Sequence, residues 1–496
     1  MYNESSFRIK CNGNFSSPIP CKLGVKQGCN LSPLLFNLFI NDIHDIFEQS
    51  CTPVEIEKNK FSSLSFADDL VLLAESQAGL QNCLIKLEKY CLDWGLKVNL
   101  TKTNVVVFNK TFNKTIKSLN FTFEGTPIEI HKSYCYLGIE ISNTGNFAKA
   151  MDSLYKKSLR ALYSLYSTLN VYSDGNNIQL FLTLFDSLVK PILLYGCEIW
   201  GPNALSTSNN PLNKLVNKFY RTLLGVPKHC STIGTHVELA CFPLSINIKY
   251  SMLNYWCRLT TLPKSRLVSH CYWSLLNLKN VNDKWLISIK DIIKSTGQRN
   301  FNFLWKSQDA LHRINPKSIL SCKRQIREML KNEFLSTAVD EMNSQIKLLY
   351  FKDSKTEFTL SRYLSILPTR NSRSLLCKLR LGVFNLEVET GRKVKIDQNG
   401  AKIRLERAER VCKLCNSGEV EDETHFLFSC EALSQTRDAF LNPLFLMCPD
   451  LSGASHLDKL MYLYFNENLE AQETYLATNL LIQLKNARDN ITISPH

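Results

Sequence analysis

The sequence predicts an α+β fold, and three observations carry that reading. Strand and helix signals alternate up to about residue 145. From about residue 147 the apolar pattern becomes mainly helical. A compact Cys/His segment then occupies positions 412–430. At 496 residues the chain has room for roughly three domains. With 44% hydrophobic and 21% charged residues it can build large cores, which argues against wholesale disorder.

The first helix signal is Ser32-Pro33, an expected N-cap with proline at the first helical position. Leu34, Leu35, Leu38, Phe39, Ile43, Ile46 and Phe47 follow at helical spacing and predict one apolar helix through LLFNLFINDIHDIF. Next comes SLSFADDLVLLA, an apolar run of two short strands interrupted by Asp68 and Asp69. LQNCLIKLEKYCLDW reads as an amphipathic helix that Gly95 ends at its C′ position. NVVVF is a short buried strand, FTFEGTPIEI a hairpin turning at Glu124-Gly125, and YCYLGIEI a further strand.

Beyond residue 147, AKAMDSLYKKSLRALYSLYSTL is basic on one side and apolar on the other. NIQLFLTLFDSLVKPILLYG, PLNKLVNKFYRTLLG and INIKYSMLNYWCRLTTL continue the helical pattern, and their Tyr, Phe and Leu stripes read as core packing. Residues 276–370 are polar, basic and weakly patterned, and no chemistry is assigned to them. Helical patterns run from the Cys/His segment to the end.

Lys and Arg exceed Asp and Glu by 59 to 45, a net charge of +14. Such a surplus suits a polyanion, nucleic acid first and an anionic membrane second. MYNESSFRIK has no apolar h-region of a secretory signal. The 18 cysteines are therefore expected as reduced thiols or metal ligands. The apolar stretch QLFLTLFDSLVKPILLYGCEIW is broken by Asp186, Lys190 and Pro191, so it reads as buried core and not as a membrane span. The expectation is an intracellular protein, nuclear or cytoplasmic.

Adjacent buried carboxylates are costly unless a cation lies between them, and Mg²⁺ takes one or two carboxylates plus substrate phosphates. Asp68 and Asp69 on a tight hairpin suit that role, although an ordinary exposed turn has the same local pattern. Upstream, in CKLGVKQGCNLSP, Gly24 and Gly28 permit close backbone approach, and Gln27 between them offers both a donor and an acceptor. Downstream, Lys102 follows Asn99 between a helix and a strand, where it suits charge stabilisation at a leaving group.

The ordered set GVKQGCNLSPLLFNLFI, FADDL, GLKVNLTKT and YLGIEI resembles the reverse transcriptase of non-LTR (LINE-like) retrotransposons. The resemblance continues through LLYGCEIW and LLGVPKHCSTIGTHVELACFPLSINIKY and covers about residues 20–440. It implies that Asp68 and Asp69 hold catalytic Mg²⁺. It implies that Gly24, Gln27, Gly28, Phe66 and Ala67 face the incoming nucleotide and template, and that Lys102 is an acid or charge stabiliser. An RNA template, a DNA primer and deoxynucleotides are the implied partners, and no membrane is expected.

The expected order is a partial fingers–palm over 1–145, a helical thumb and following region over 146–270, a basic helical region over 271–400, a CCHC zinc knuckle over 401–440 and C-terminal helices over 441–496. In the knuckle, CKLCNSGEVEDETHFLFSC has the spacing for one tetrahedral Zn²⁺ on Cys412, Cys415, His425 and Cys430. Phe426 and Phe428 are expected to cover the metal, and Arg404, Arg407, Arg410 and Lys413 to meet nucleic acid.

One feature departs from the family pattern. The two-metal mechanism needs a further acid, which in the family lies well before the Gln loop, and MYNESSFRIKCNGNFSSPIPCKLGVK offers only Glu4. The chain is therefore expected to be the C-terminal part of such a polymerase, inactive alone. The alternative is a non-catalytic nucleic-acid-binding protein that uses its basic helices and the knuckle.

Overall fold

The computed structural model describes residues 6–21, 24–48, 52–56, 59–108, 119–175, 177–207, 210–263, 265–277, 283–295, 316–392, 395–396, 402–403 and 405–493. They form two compact units. One comprises 1–146 with 263–281, and the other 147–262 with 282–496.

In the first unit the described strands pair two by two. Ser63–Phe66 and Asp69–Leu72 form an antiparallel hairpin with Phe66 opposite Asp69, so its loop is the two residues Ala67 and Asp68. Alternation along the second strand turns Leu70 and Leu72 toward a core built on Phe47, Cys83, Leu87, Phe121 and Phe123. The same alternation leaves Asp69 exposed.

The helix Gln77–Trp94 supplies one wall of that core. Ser76 caps its start by accepting from the Gly79 amide, and Gly95 ends it in the left-handed region at φ 64°. Gly79 is required by close approach, because a Cβ there would lie 1.9 Å from Thr52 Oγ1.

Glu124 and Gly125, at φ 47° and 72°, turn the hairpin Thr122–Phe123/Thr126–Pro127 as expected. YCYLGIEI is a hairpin and not a single strand. Ser133–Tyr136 pairs with Ile139–Ser142 through Leu137-Gly138, both at positive φ. Val105–Val106, within the predicted NVVVF strand, pairs in parallel with Ile130–His131.

Two further expectations need correction here. The predicted long apolar helix stops at Phe39, and a short helix resumes over Asp45–Glu48. Phe36, Ile40, Ile43 and Phe47 face the core, whereas Leu34 and Leu38 are exposed, because a helix apolar on two faces can lay only one of them on a single core. Ser32 is not the N-cap either. Leu31 holds that place, and the Ser32 hydroxyl donates to the Lys26 carbonyl at 2.6 Å.

The second unit is helical. Ala148–Leu169 and Pro211–Leu224 pack through Tyr166, Phe185 and Phe219, with the Phe185 and Phe219 rings stacked at 4.1 Å. The long apolar stretch is broken as expected. Ile178–Leu184 passes into a π-turn at Phe185–Val189 just before Pro191, where the missing N–H and the ring disturb the regular ladder. Gly196, at φ 69°, then redirects the chain into Cys197–Leu205, bent by 91°. No single described helix is long and apolar enough to cross a membrane.

A buried ion network ties distant segments of this unit together. Arg380 donates to Glu238 at 2.9 Å and also to Glu467, and Lys355 donates to Ser361 at 2.8 Å. Burial acts to lower the Arg380 pKa, but the facing Glu238 and Glu467 carboxylates outweigh it and raise the pKa above the ordinary arginine value.

The described cysteines are free thiols, as expected, with Cys83 the exception: it is disulfide-bonded.

Candidate active site and metal centre

Asp68 and Asp69 stand exposed at the tip of the hairpin. Ala67, the first loop residue, holds φ 51° and so turns the chain in a conformation usually left to glycine. Phe66, beside it, is 63% exposed, so the whole FADD tip faces outward instead of being buried. Neither acid makes a side-chain hydrogen bond or ion pair among the described residues, which leaves their oxygen lone pairs free. The strand below them is held from one side by His44, whose Nδ1 and Nε2 meet Ser63 Oγ at 2.7 Å and Ser65 Oγ at 3.0 Å. From the other hairpin, Tyr136 comes near enough that burial and the Asp69 charge together raise its phenol pKa.

The Gln27 loop is shaped by its glycines. Gly24 and Gly28 both hold φ 80°, with open space where a Cβ would stand. Gln27 is exposed between them, and the Ser32–Lys26 hydrogen bond pins the loop to the start of the following helix. Lys102 lies exposed in a turn organised by Asn99, whose side chain accepts from Thr101 and whose carbonyl accepts from Lys102 and Thr103. No hydrogen bond or ion pair among the described residues links Gln27 or Lys102 to the acid pair.

Among the described residues, no third His, Cys, Asp or Glu completes a metal-binding group with Asp68 and Asp69. Cys412, Cys415, His425 and Cys430 do form one, with their ligand atoms within 4.8 Å of one another. Local structure brings these four together. A small antiparallel bridge, Val411 to Val420, closes the loop that carries the two nearer cysteines, and Gly418 turns it at φ 71°. Asp422 caps the next turn by accepting from the His425 amide at 3.0 Å. That turn presents the His425 ring and then Cys430.

A tetrahedral Zn²⁺ with bonds of about 2.3 Å to sulfur and about 2.0–2.1 Å to nitrogen has S–S edges of about 3.8 Å and S–N edges of about 3.5 Å. Here Cys412 and Cys430 sulfurs are 3.8 Å apart, and Cys415 Sγ lies 3.4 Å from His425 Nε2. The donor set is compatible with zinc on both counts.

His425 Nδ1 donates to Glu419 at 2.8 Å, which leaves the Nε2 lone pair facing the sulfurs. Burial and the neighbouring Cys412 and Cys415 push the Cys430 thiol up to about 12. Burial also raises the Cys412 thiol. For Cys415 burial is outweighed by hydrogen bonds from Ser417, Cys412 and His425, which bring its thiol down to about 6. Three thiolates this close require a cation to coexist. Glu419 escaped the sequence reading because acids crowd this loop and nothing marks which one turns toward the ring.

The basic neighbours differ from expectation. Phe426 is buried against Phe384, and Phe428 stacks on His456. Arg410 is buried and donates to the Val388 and Leu405 carbonyls, so it supports the fold and is withdrawn from any nucleic acid. Arg407 pairs with Asp422 at 3.3 Å and Lys413 with Glu387 at 2.7 Å. Arg404 lies outside the described residues.

Residues 1–141 match the family described as reverse transcriptase (RNA-dependent DNA polymerase). The chain is 27% identical over 270 residues to the RNA-directed DNA polymerase from mobile element jockey of Drosophila melanogaster, covering 53% of this chain and 28% of that protein. It is 27% identical over 249 residues to the probable RNA-directed DNA polymerase from transposon BS of the same species, covering 48% and 26%. It is 31% identical over 150 residues to the Pol polyprotein from type-1 retrotransposable element R2 of Nasonia vitripennis, covering 29% and 13%. The chain thus spans about a quarter of the length of the jockey and BS proteins it matches. It carries a reverse transcriptase segment and is a relative of the RNA-directed DNA polymerases of non-LTR retrotransposons.

Proposed function

We propose that this chain works as part of an RNA-directed DNA polymerase. The exposed Asp68-Asp69 turn, inside the segment that matches the reverse transcriptase family, carries the reading. The hairpin belongs to the palm of the polymerase, and the helices that begin at Ala148 form its thumb. Asp68 and Asp69 hold Mg²⁺, which would activate the primer hydroxyl and neutralise the leaving pyrophosphate. Oxygen-only donors with no competing hydrogen bonds suit that ion. Gln27, Gly24 and Gly28 form the wall against which nucleotide and template rest, Phe66 and Ala67 flank the acids, and Lys102 offsets charge on the departing phosphates. An RNA template, a DNA primer and deoxynucleotides are the partners.

Two carboxylates leave a two-metal site short of ligands, and no third joins them among the described residues. In this reading the further carboxylate comes from a segment outside this chain, so the isolated chain does not extend a primer. A fusion to an upstream reverse transcriptase segment that supplies it does, and Asp68→Asn abolishes that extension. Extension by an Asp68→Asn fusion sinks the proposal.

The Cys412 site holds a structural zinc. All four positions are protein ligands, so no place remains for a reactive water. The incomplete acid set also favours a second reading, a non-catalytic nucleic-acid-binding protein. Binding of RNA or DNA that weakens steeply with salt supports it, and salt-insensitive binding counts against it.

A further inference from the structure

The helical unit contains a cavity of about 790 Å³. It lies between the turn after Pro211–Leu224, the helix Arg370–Arg380 and the last helix, Ala471–Ile493. Its cations are Lys347, Lys378, Arg392, Lys485 and Arg488, and its acids are Glu389 and Asp489. Glu389 is shared by Lys347 at 2.8 Å and Arg392 at 3.1 Å. Lys485 pairs with Asp489, and Arg488 with Glu421.

The Lys378 ammonium makes no hydrogen bond or ion pair among the described residues. It is half-buried on the wall, and burial together with the Lys485 and Arg370 charges lowers its pKa. A half-buried lysine beside other cations and without a carboxylate partner is a place where an anion is missing. Val226, Pro227 and Val383 add an apolar part to the lining. The volume falls within the ordinary range of pockets for small organic ligands, roughly 300–1,000 Å³.

We propose that this cavity binds a nucleoside phosphate, its phosphate on Lys378 and its sugar or base against Val226, Pro227 and Val383. The unit is either a free nucleotide or one residue of a nucleic-acid strand. The inference does not rest on the polymerase reading, because the acid hairpin belongs to the other unit.

The test uses the full chain with three fluorescent probes in turn: a mononucleotide, a ten-residue single-stranded RNA and the matching DNA. Inorganic phosphate serves as competitor. Lys378→Met keeps the aliphatic stem and removes the charge, and is expected to weaken binding about tenfold, the scale of one charge-assisted phosphate contact. Lys214→Met, an exposed lysine of the same unit away from the cavity, is expected to leave it unchanged.

Equal binding by the mononucleotide and the strands identifies the free nucleotide as the ligand, and binding by strands alone identifies the polynucleotide. Equal losses in both variants, or no binding of any probe, overturn the site. In the unmodified chain, the bound probe is also expected to protect Lys378 from amine acylation, a readout independent of any variant's folding. Unprotected Lys378 in the presence of saturating probe overturns the proposal as well.

Discussion

The Arg488 guanidinium forks onto the Glu421 carboxylate, with Nε 2.8 Å from Oε1 and Nη2 3.0 Å from Oε2. Glu421 is 1% exposed and also accepts from the Glu387 amide. One carboxylate thus joins the Cys/His loop, the segment before it and the last helix. Glu421→Ala takes the paired carboxylate away from a buried guanidinium, and such breaks cost about 3–5 kcal/mol. Urea unfolding of the full chain should show that loss. Replacing both residues by leucine should recover part of it, since the desolvation of both charges is removed together.

Zinc binding is expected at one equivalent per chain, measured by metal analysis of the purified protein. Cys415→Ser should lose the metal and lower the thermal midpoint. Glu419→Ala keeps four ligands but frees the His425 ring, and should weaken zinc affinity about 10–100-fold. Metal-free protein with an unchanged midpoint would reject the site.

His236 provides a pH dependence. Its ring is buried, Nδ1 donates to the Cys241 carbonyl at 2.7 Å, and burial lowers its pKa to about 4, with the Arg221 and Lys190 charges acting in the same direction. The unfolded ring titrates near 6.5, so between pH 6.5 and 4 the unfolded chain takes up a proton that the folded chain refuses. This contribution is fully present above about pH 6.5 and is lost as the pH falls to about 4, amounting to about 3 kcal/mol. His236→Gln should flatten that part of the stability profile, read as the difference in urea midpoints between pH 7 and pH 4.5. Parallel profiles in both proteins would refute it.

Gly382 holds φ 60°, and a Cβ there would lie 2.2 Å from the Lys347 carbonyl oxygen. Gly382→Ala combines left-handed strain with a backbone clash and should cost more than about 2 kcal/mol. Gly418 also has positive φ but open space around it, so Gly418→Ala should cost only the strain, about 1–2 kcal/mol. Equal losses at the two positions would show that the close approach to Lys347 carries no weight.

Much of the candidate site was legible because it is built locally. A two-residue turn at Ala67-Asp68 needs only flanking strands, and period-two alternation placed Leu70 and Leu72 inward. The Gly95 helix end and the Glu124-Gly125 turn follow from left-handed backbone that glycine adopts freely. The cysteine spacing likewise encodes a ligand set within 19 positions. The Ser32 cap was misread because Ser-Pro fits both N-cap/N1 and N1/N2. The choice was made by the Lys26 carbonyl, six residues upstream, which accepts the hydroxyl.

By itself, then, the sequence determined the acid turn, the Cys/His ligands, the helical character of the second unit and the family resemblance. All of these rest on residues near one another along the chain. Only the tertiary structure decided that Arg410 is buried, that Glu419 orients His425, that Glu421 meets Arg488 across 67 positions, and that the Lys378 ammonium lines a cavity without an ion-pair partner among the described residues. Those outcomes depend on which distant segments pack together. A charge's role is set by the partner and solvent it meets after packing, and no local pattern records that.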